Sequence, residues 1–277
     1  MKRFLLIMLL SVLMINVNAQ PFTLKSAGET KEFSLQIYFG TGGKGACVQY
    51  KGQKGIIPLK IKSYVTNLTV KPTFDTYVWD EIIDGKVNGS YGLTISGLQD
   101  VFDIWYERKK DGKRFRLEQV GGKGEEPNGN DKYLLHDVLL SFNSFNDDKL
   151  TISYPDGTKT TTILPSIDAL VLSRQSIIAD YNFDGYDDVA FSIPDAGMGV
   201  YRTFKIFLYN SKTKRFAALK EPDYAKSNCS CLCDVTINKQ KKQLYTACRG
   251  GARWWQDAYH FNKEGKLVWV SSREMND

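Results

Sequence analysis

The sequence predicts a mainly β protein organised as two domains. Short runs alternate apolar and polar residues, as in Phe33-Ser34-Leu35-Gln36-Ile37-Tyr38-Phe39, which is the pattern of a half-buried strand. Turn dipeptides such as Asp84-Gly85 and Asp111-Gly112 separate those runs. Aromatic residues at 13% with 23 glycines suit short strands and tight turns better than long helices. A length of 277 residues is enough for one large domain or two ordinary ones. Apolar residues at 42% and charged residues at 25% exclude a mostly disordered chain.

Taken in order, Met1-Lys2-Arg3 precedes an apolar run from Phe4 to Ile15, and Val17-Asn18-Ala19 offers a small residue before a cleavage point between Ala19 and Gln20. The run is too short to cross a bilayer. Residues 1–19 are therefore expected to be a secretory signal, with no cysteine after it for lipid attachment. A periplasmic or secreted protein without a membrane span is the expectation.

Residues 20–145 are expected to form a β-rich N-terminal domain, with strands at 33–39, 47–50, 56–64, 93–95, 101–108 and 114–119. Gly40-Thr41-Gly42-Gly43-Lys44-Gly45 lacks the Lys-Ser/Thr step of a phosphate loop and reads as a flexible hairpin end. The stretch 121–131, rich in Gly, Asn and Glu, reads as a loop. Leu134, Leu135, Val138, Leu139 and Phe142 recur at roughly helical spacing and predict a short helix.

Residues 146–277 are expected to form the second domain. Leu150–Tyr154 and Thr160–Leu164 flank Pro155-Asp156-Gly157, a hairpin signal. Further strands are expected at 170–178, 189–193, 201–209, 233–237, 243–248 and 267–270, and no repeat of fixed period runs the length of the chain.

The formal charge is +6, falling to +4 once Lys2 and Arg3 are removed, a surplus too mild for a nucleic-acid binder. The distribution is more telling. From Gln175 to Tyr201 there are five aspartates and no Lys or Arg, a concentration that repels itself unless a cation sits in it.

Within that stretch, Asp180-Tyr181-Asn182-Phe183-Asp184-Gly185-Tyr186-Asp187-Asp188 reads D-x-N-x-D-G-x-D-D. Oxygen side chains at positions one, three and five converge if the chain turns tightly, and Gly185 at position six permits that turn. The carbonyl of Tyr186 and the carboxylate of Asp188 would complete a shell of hard donors, which favours one structural Ca2+ over softer metals. Phe191 stands where an EF-hand has its bidentate Glu, and the flanks read as strands. The expectation is a calcium loop between strands; the alternative is an Asx-rich turn without metal.

This loop, running into Asp188-Val189-Ala190-Phe191, resembles the calcium loops of FG-GAP repeats in integrin-type propellers. With Gly199-Val200-Tyr201, Phe207-Leu208-Tyr209-Asn210, Phe216, Arg249-Gly250-Gly251-Ala252 and Gly265-Lys266-Leu267, the stretch from Asp180 to Val270 is similar to a bacterial periplasmic family. That family includes the lysozyme-inhibiting immunity proteins of bacteria-killing type IV secretion systems. The resemblance implies a β-propeller-like C-terminal domain with one bound calcium and no catalysis. It also implies a lysozyme-like or other peptidoglycan-degrading enzyme as partner, inhibited by a loop entering its cleft, with Met198 and Tyr201 as the contact residues by position. An adhesion or carbohydrate-binding module of the FG-GAP type, and a cell-wall hydrolase, are the alternatives. Against the hydrolase, no local pattern singles out a pair of carboxylates, and neither Ser nor Cys sits in a nucleophile turn.

Cys229, Cys231 and Cys233 lie outside that family's pattern. A disulfide from Cys248 to one of the three is the first expectation in an oxidising compartment, with zinc or copper held by these thiolates and Cys248 or His260 as the alternative. A bridge between residues only two apart is disfavoured by geometry, and Cys47 is left unpaired. Trp254-Trp255 reads as one core side chain and one outward neighbour on a strand, with a sugar-stacking or partner-binding platform as the alternative.

Overall fold

The computed structural model describes residues 21–97, 100–120, 129–166, 173–195 and 199–275. The expected signal segment, most of the 121–131 loop and Met198 lie outside them.

Eight strands close into an antiparallel barrel. They are β1 (Phe22–Ser26), β2 (Ser34–Tyr38), β3 (Cys47–Tyr50), β4 (Ile57–Asn67), β5 (Phe74–Ile83), β6 (Lys86–Ser96), β7 (Val101–Arg108) and β8 (Arg114–Gln119). Closure comes from β8 returning to β1, with Leu24 opposite Gln119. Strand alternation sends Leu24, Leu35, Ile37, Trp79, Tyr91 and Leu93 into one buried core. One carboxylate enters with them. Glu81 is 1% exposed and accepts hydrogen bonds from Asn88 Nδ2, Tyr91 Oη and Tyr106 Oη, so its lone pairs are met without a cation.

Three four-stranded antiparallel sheets follow, each a meander. The first holds β9 (Asn130–Leu135), β10 (Val138–Asn143), β11 (Lys149–Ser153) and β12 (Lys159–Ile163). The second holds β13 (Gln175–Ala179), β14 (Asp188–Pro194), β15 (Arg202–Asn210) and β16 (Arg215–Ala218). The third holds β17 (Thr236–Asn238), β18 (Gln243–Gly250), β19 (Arg253–Phe261) and β20 (Leu267–Met275). The middle sheet is packed on both faces. Val189, Phe191, Phe207 and Tyr209 join the core of the first sheet, and Ala190 and Ile206 join that of the third. This explains why 188–192 are all buried, where a strand with one wet face would alternate.

Four expectations change. The helix expected over 134–142 is a hairpin, with Val138 opposite Leu135 and a two-residue turn at His136 and Asp137, whose φ angles are +52° and +63°. Two positive φ values match the twist of the flanking strands, and Tyr133, Leu135, Val138, Leu140 and Phe142 all point to the core. Leucines on both faces of this hairpin mimic helical spacing. The glycine-rich segment 40–45 does end a hairpin, yet it is packed: a short 3-10 turn at Thr41–Gly43 sits under Trp79, whose Nε1 donates to Gly43 O at 2.8 Å. The break between 145 and 146 falls inside the first meander, because β10 pairs with β11, whereas the barrel ends at Gln119. The propeller expected of the C-terminal half is not shown; that half holds three four-stranded meanders.

Candidate functional site

The segment Asp180 to Asp188 joins β13 to β14, so it is a loop between antiparallel strands as the sequence predicts. Its turn is built by its own side chains. Asp184 N–H donates to Asp180 Oδ1 and Asn182 Oδ1, Gly185 N–H donates to Asp180 Oδ2, and Tyr186 N–H donates to Asp184 Oδ1. Gly185 holds φ at +91°, a conformation that side chains rarely adopt. The oxygens of Asp180, Asn182 and Asp184 are thereby drawn to the inside of one tight bend.

Asp188 behaves differently. It is fully buried at the start of β14, where Oδ2 accepts Tyr181 N–H and Oδ1 accepts Tyr209 N–H, both at 2.8 Å. Burial pushes its carboxyl up to about 7, the two N–H donors oppose that, and the nearby Asp184 and Asp180 add to it. The chemistry of this donor set, carboxylates with one amide, fits a hard cation, and a carboxylate holding one N–H per oxygen keeps further lone pairs. Among the described residues, no three His, Cys, Asp or Glu side chains are grouped as a metal site. The loop as it stands is a set of hydrogen-bonded Asx turns with calcium-type donors.

The residues between those donors anchor the loop to every neighbouring layer. Tyr181 is buried in the core shared with the third sheet, and Phe183 meets Phe261 of β19 edge-on at 6.5 Å. Tyr186 meets His136 edge-on at 5.6 Å, and His136 stacks on Tyr209 at 4.0 Å. His136 Nε2 lies 2.8 Å from Asp187 O; a carbonyl only accepts, so Nε2 carries the proton. Lys44, from the barrel, pairs with Asp187 Oδ1 at 2.5 Å. The cation demanded by the run of aspartates is therefore supplied in part by a lysine from the glycine-rich segment. Lys44 and His136 carry no local signal of this role, since each meets the loop only through the tertiary fold.

Of the two proposed contact residues, Tyr201 is not a free loop tip. It packs against the cysteine cluster and bonds back to Asp195, with Asp195 N–H donating to Tyr201 O at 2.9 Å. Cys229 and Cys248 form a disulfide with Cα atoms 5.6 Å apart, as expected. Cys231 and Cys233 lie side by side with their Cα atoms 5.3 Å apart, next to that disulfide. The Cys229–Cys248 pairing takes two of the thiols that zinc or copper would need. Cys47 is free and buried, and burial pushes its thiol up to about 12. Trp254 and Trp255 are both half-buried on β19, and Trp255 lies on the disulfide cluster.

Compared with known proteins, the chain matches no family model and no curated protein.

Proposed function

We propose that this is an exported, non-catalytic binding protein whose loop 180–188 holds one structural Ca2+ and which inhibits a lysozyme-like cell-wall glycosidase. Asp180, Asn182 and Asp184 would bind the ion through side-chain oxygens, Tyr186 through its carbonyl, and Asp188 through its carboxylate. The ion supplies two positive charges to a stretch of like-signed carboxylates. The observation that carries the reading is the anchoring of the loop. Tyr181, Phe183, Tyr186 and Asp187 fasten it to two sheets and the barrel, so that order imposed on the loop is transmitted to the surfaces around it.

The inhibitory role rests on the resemblance of the stretch from Asp180 to Val270 to periplasmic immunity proteins. The stacked meanders are propeller-like blades in this reading. An acidic stretch also favours encounter with basic wall-degrading enzymes. A wall-lysis assay with several lysozymes tests the proposal. Dose-dependent inhibition by the purified protein is expected. Glycan binding without inhibition would instead indicate an FG-GAP-type module, and lysis by the protein alone a hydrolase.

A further inference from the structure

The turn of the β4–β5 hairpin and the end of β4 leading into it stand at the rim of the barrel, with every residue from Lys62 to Thr73 exposed. The β5 strand stays paired with β6 as far as Phe74 opposite Ser96, and Gly97 N–H donates to Thr73 O at 2.8 Å, so the exposed projection is a finger made of the β4 end and the turn. Its side chains are nonetheless apolar at four places: Tyr64 is 44% exposed, Val65 60%, Leu68 74% and Val70 41%. Isolated exposed apolar residues are ordinary, but four within seven positions on one projection are a patch that water does not favour.

Two features say what covers it. Tyr64 and Val65 are successive residues in a strand, opposite Tyr77 and Thr76, so they point to opposite faces. A protein surface would cover one face of the finger, whereas a hydrocarbon medium surrounds both faces and the tip alike. Lysines flank the apolar positions, Lys62 before Tyr64 and Lys71 directly after Val70, both exposed. Lys62 pairs loosely with Asp80 Oδ1 at 3.6 Å and stays largely exposed, while Asp75 accepts hydrogen bonds from Thr66 Oγ1 at 2.7 Å and Tyr64 Oη at 3.3 Å. The root is stiff as well: Tyr64 stacks on Tyr77 at 4.9 Å, and Tyr77 on the buried Trp79 at 5.3 Å. A preordered finger loses little freedom on binding.

We infer that the tip of the β4–β5 hairpin docks into an anionic lipid surface, Leu68, Val65 and Val70 entering the headgroup–acyl boundary while Lys62 and Lys71 meet phosphate. This is peripheral binding by a finger, independent of the calcium loop and of any enzyme partner.

Co-sedimentation with vesicles tests it, using phosphatidylcholine alone and phosphatidylcholine mixed with phosphatidylglycerol. The full-length protein is expected to pellet with the mixed vesicles, and less so as salt is raised. Leu68→Ser combined with Val70→Ser should lower vesicle affinity by about tenfold or more. Lys62→Gln combined with Lys71→Gln should lower it by about tenfold. Both variants should melt as wild type does, because the altered residues are exposed. Wild-type protein left in the supernatant with both vesicles, equal binding to both compositions, or undiminished binding by the serine variant would overturn the inference. The first of these holds even if the same side chains prove to contact a lysozyme.

Discussion

Lys44 and Asp187, separated by 143 positions, form an ion pair at 2.5 Å that ties the barrel to the acidic loop of the middle sheet. Around it the glycine-rich segment is seated on the first two sheets: Leu134 N–H donates to Gly45 O at 2.9 Å, and a Cβ on Gly45 would lie 3.0 Å from Ile178 Cδ1 and 3.2 Å from Tyr133 Cβ.

That seat can be loosened in two grades. The side chains of Lys44 and Asp187 are 38% and 29% exposed, so solvent screens the pair, and Lys44→Met should cost about 1 kcal/mol or less. Gly45→Ala should cost more, about 2 kcal/mol, because φ is +61° and the added methyl meets packed side chains. Denaturant unfolding checks both, and limited proteolysis should show faster cutting between barrel and sheets in the alanine variant. Equal stability of the two variants would argue against a tight seat.

The calcium reading separates two kinds of aspartate. Asp180→Ala with Asp184→Ala should abolish the rise in melting temperature on adding calcium, a rise worth about 2.7 kcal/mol at roughly a hundredfold excess over Kd. Titration calorimetry should show heat for the wild type and none for this variant. Asp188→Ala should destabilise the protein with or without calcium, by about 2 kcal/mol, because Tyr181 N–H and Tyr209 N–H lose their acceptor in a buried place. A wild type that binds no calcium would leave the loop an Asx-turn device.

Stability should also depend on pH through Asp131, which is 8% exposed and whose carboxyl burial pushes from 3.8 up to about 7. Its folded value lies above its unfolded one, so the folded state favours the protonated form. The contribution is full below the ordinary carboxylate value and is lost as pH rises through about 7, by at most about 4 kcal/mol. Asp131→Asn should therefore be more stable than wild type near about pH 8 and no more stable near about pH 4. Urea unfolding at the two pH values decides it; a gain at the acidic pH alone would contradict the sign.

The cysteines predict a contrast in reactivity and stability. Cys229→Ser with Cys248→Ser should cost about 3 kcal/mol, the worth of closing a loop between residues 19 apart. Cys47 should resist thiol reagents in the native protein, being buried with its thiol pushed up to about 12, and react once the chain is unfolded. Rapid native labelling of Cys47 would mean that the barrel opens readily.

Much of the β architecture is written in local pattern. Strands 101–108 and 114–119 coincide with β7 and β8, and the Pro155-Asp156-Gly157 signal sits between β11 and β12, because period-two alternation and turn residues act over a few positions. Other elements escape that reading. β5 and β16 carry no clear alternation, β19 is signalled only by Trp254-Trp255, and the leucine-rich segment at 134–142 satisfies helix and hairpin spacing alike. There the positive φ angles of His136 and Asp137 and the core on one face decide for the hairpin.

By itself the sequence determined the β class, the Asx-rich turn between strands at 180–188 and the partnership of Cys248 with the cysteine cluster, all consequences of chemistry carried by neighbours along the chain. Only the tertiary structure decided that the first eight strands close on themselves, that the middle sheet is buried on both faces, and that Lys44 and His136 reach the acidic loop. Those depend on which distant surfaces meet. Burial and electrostatics act through space, and no spacing along the chain records which surfaces will share them.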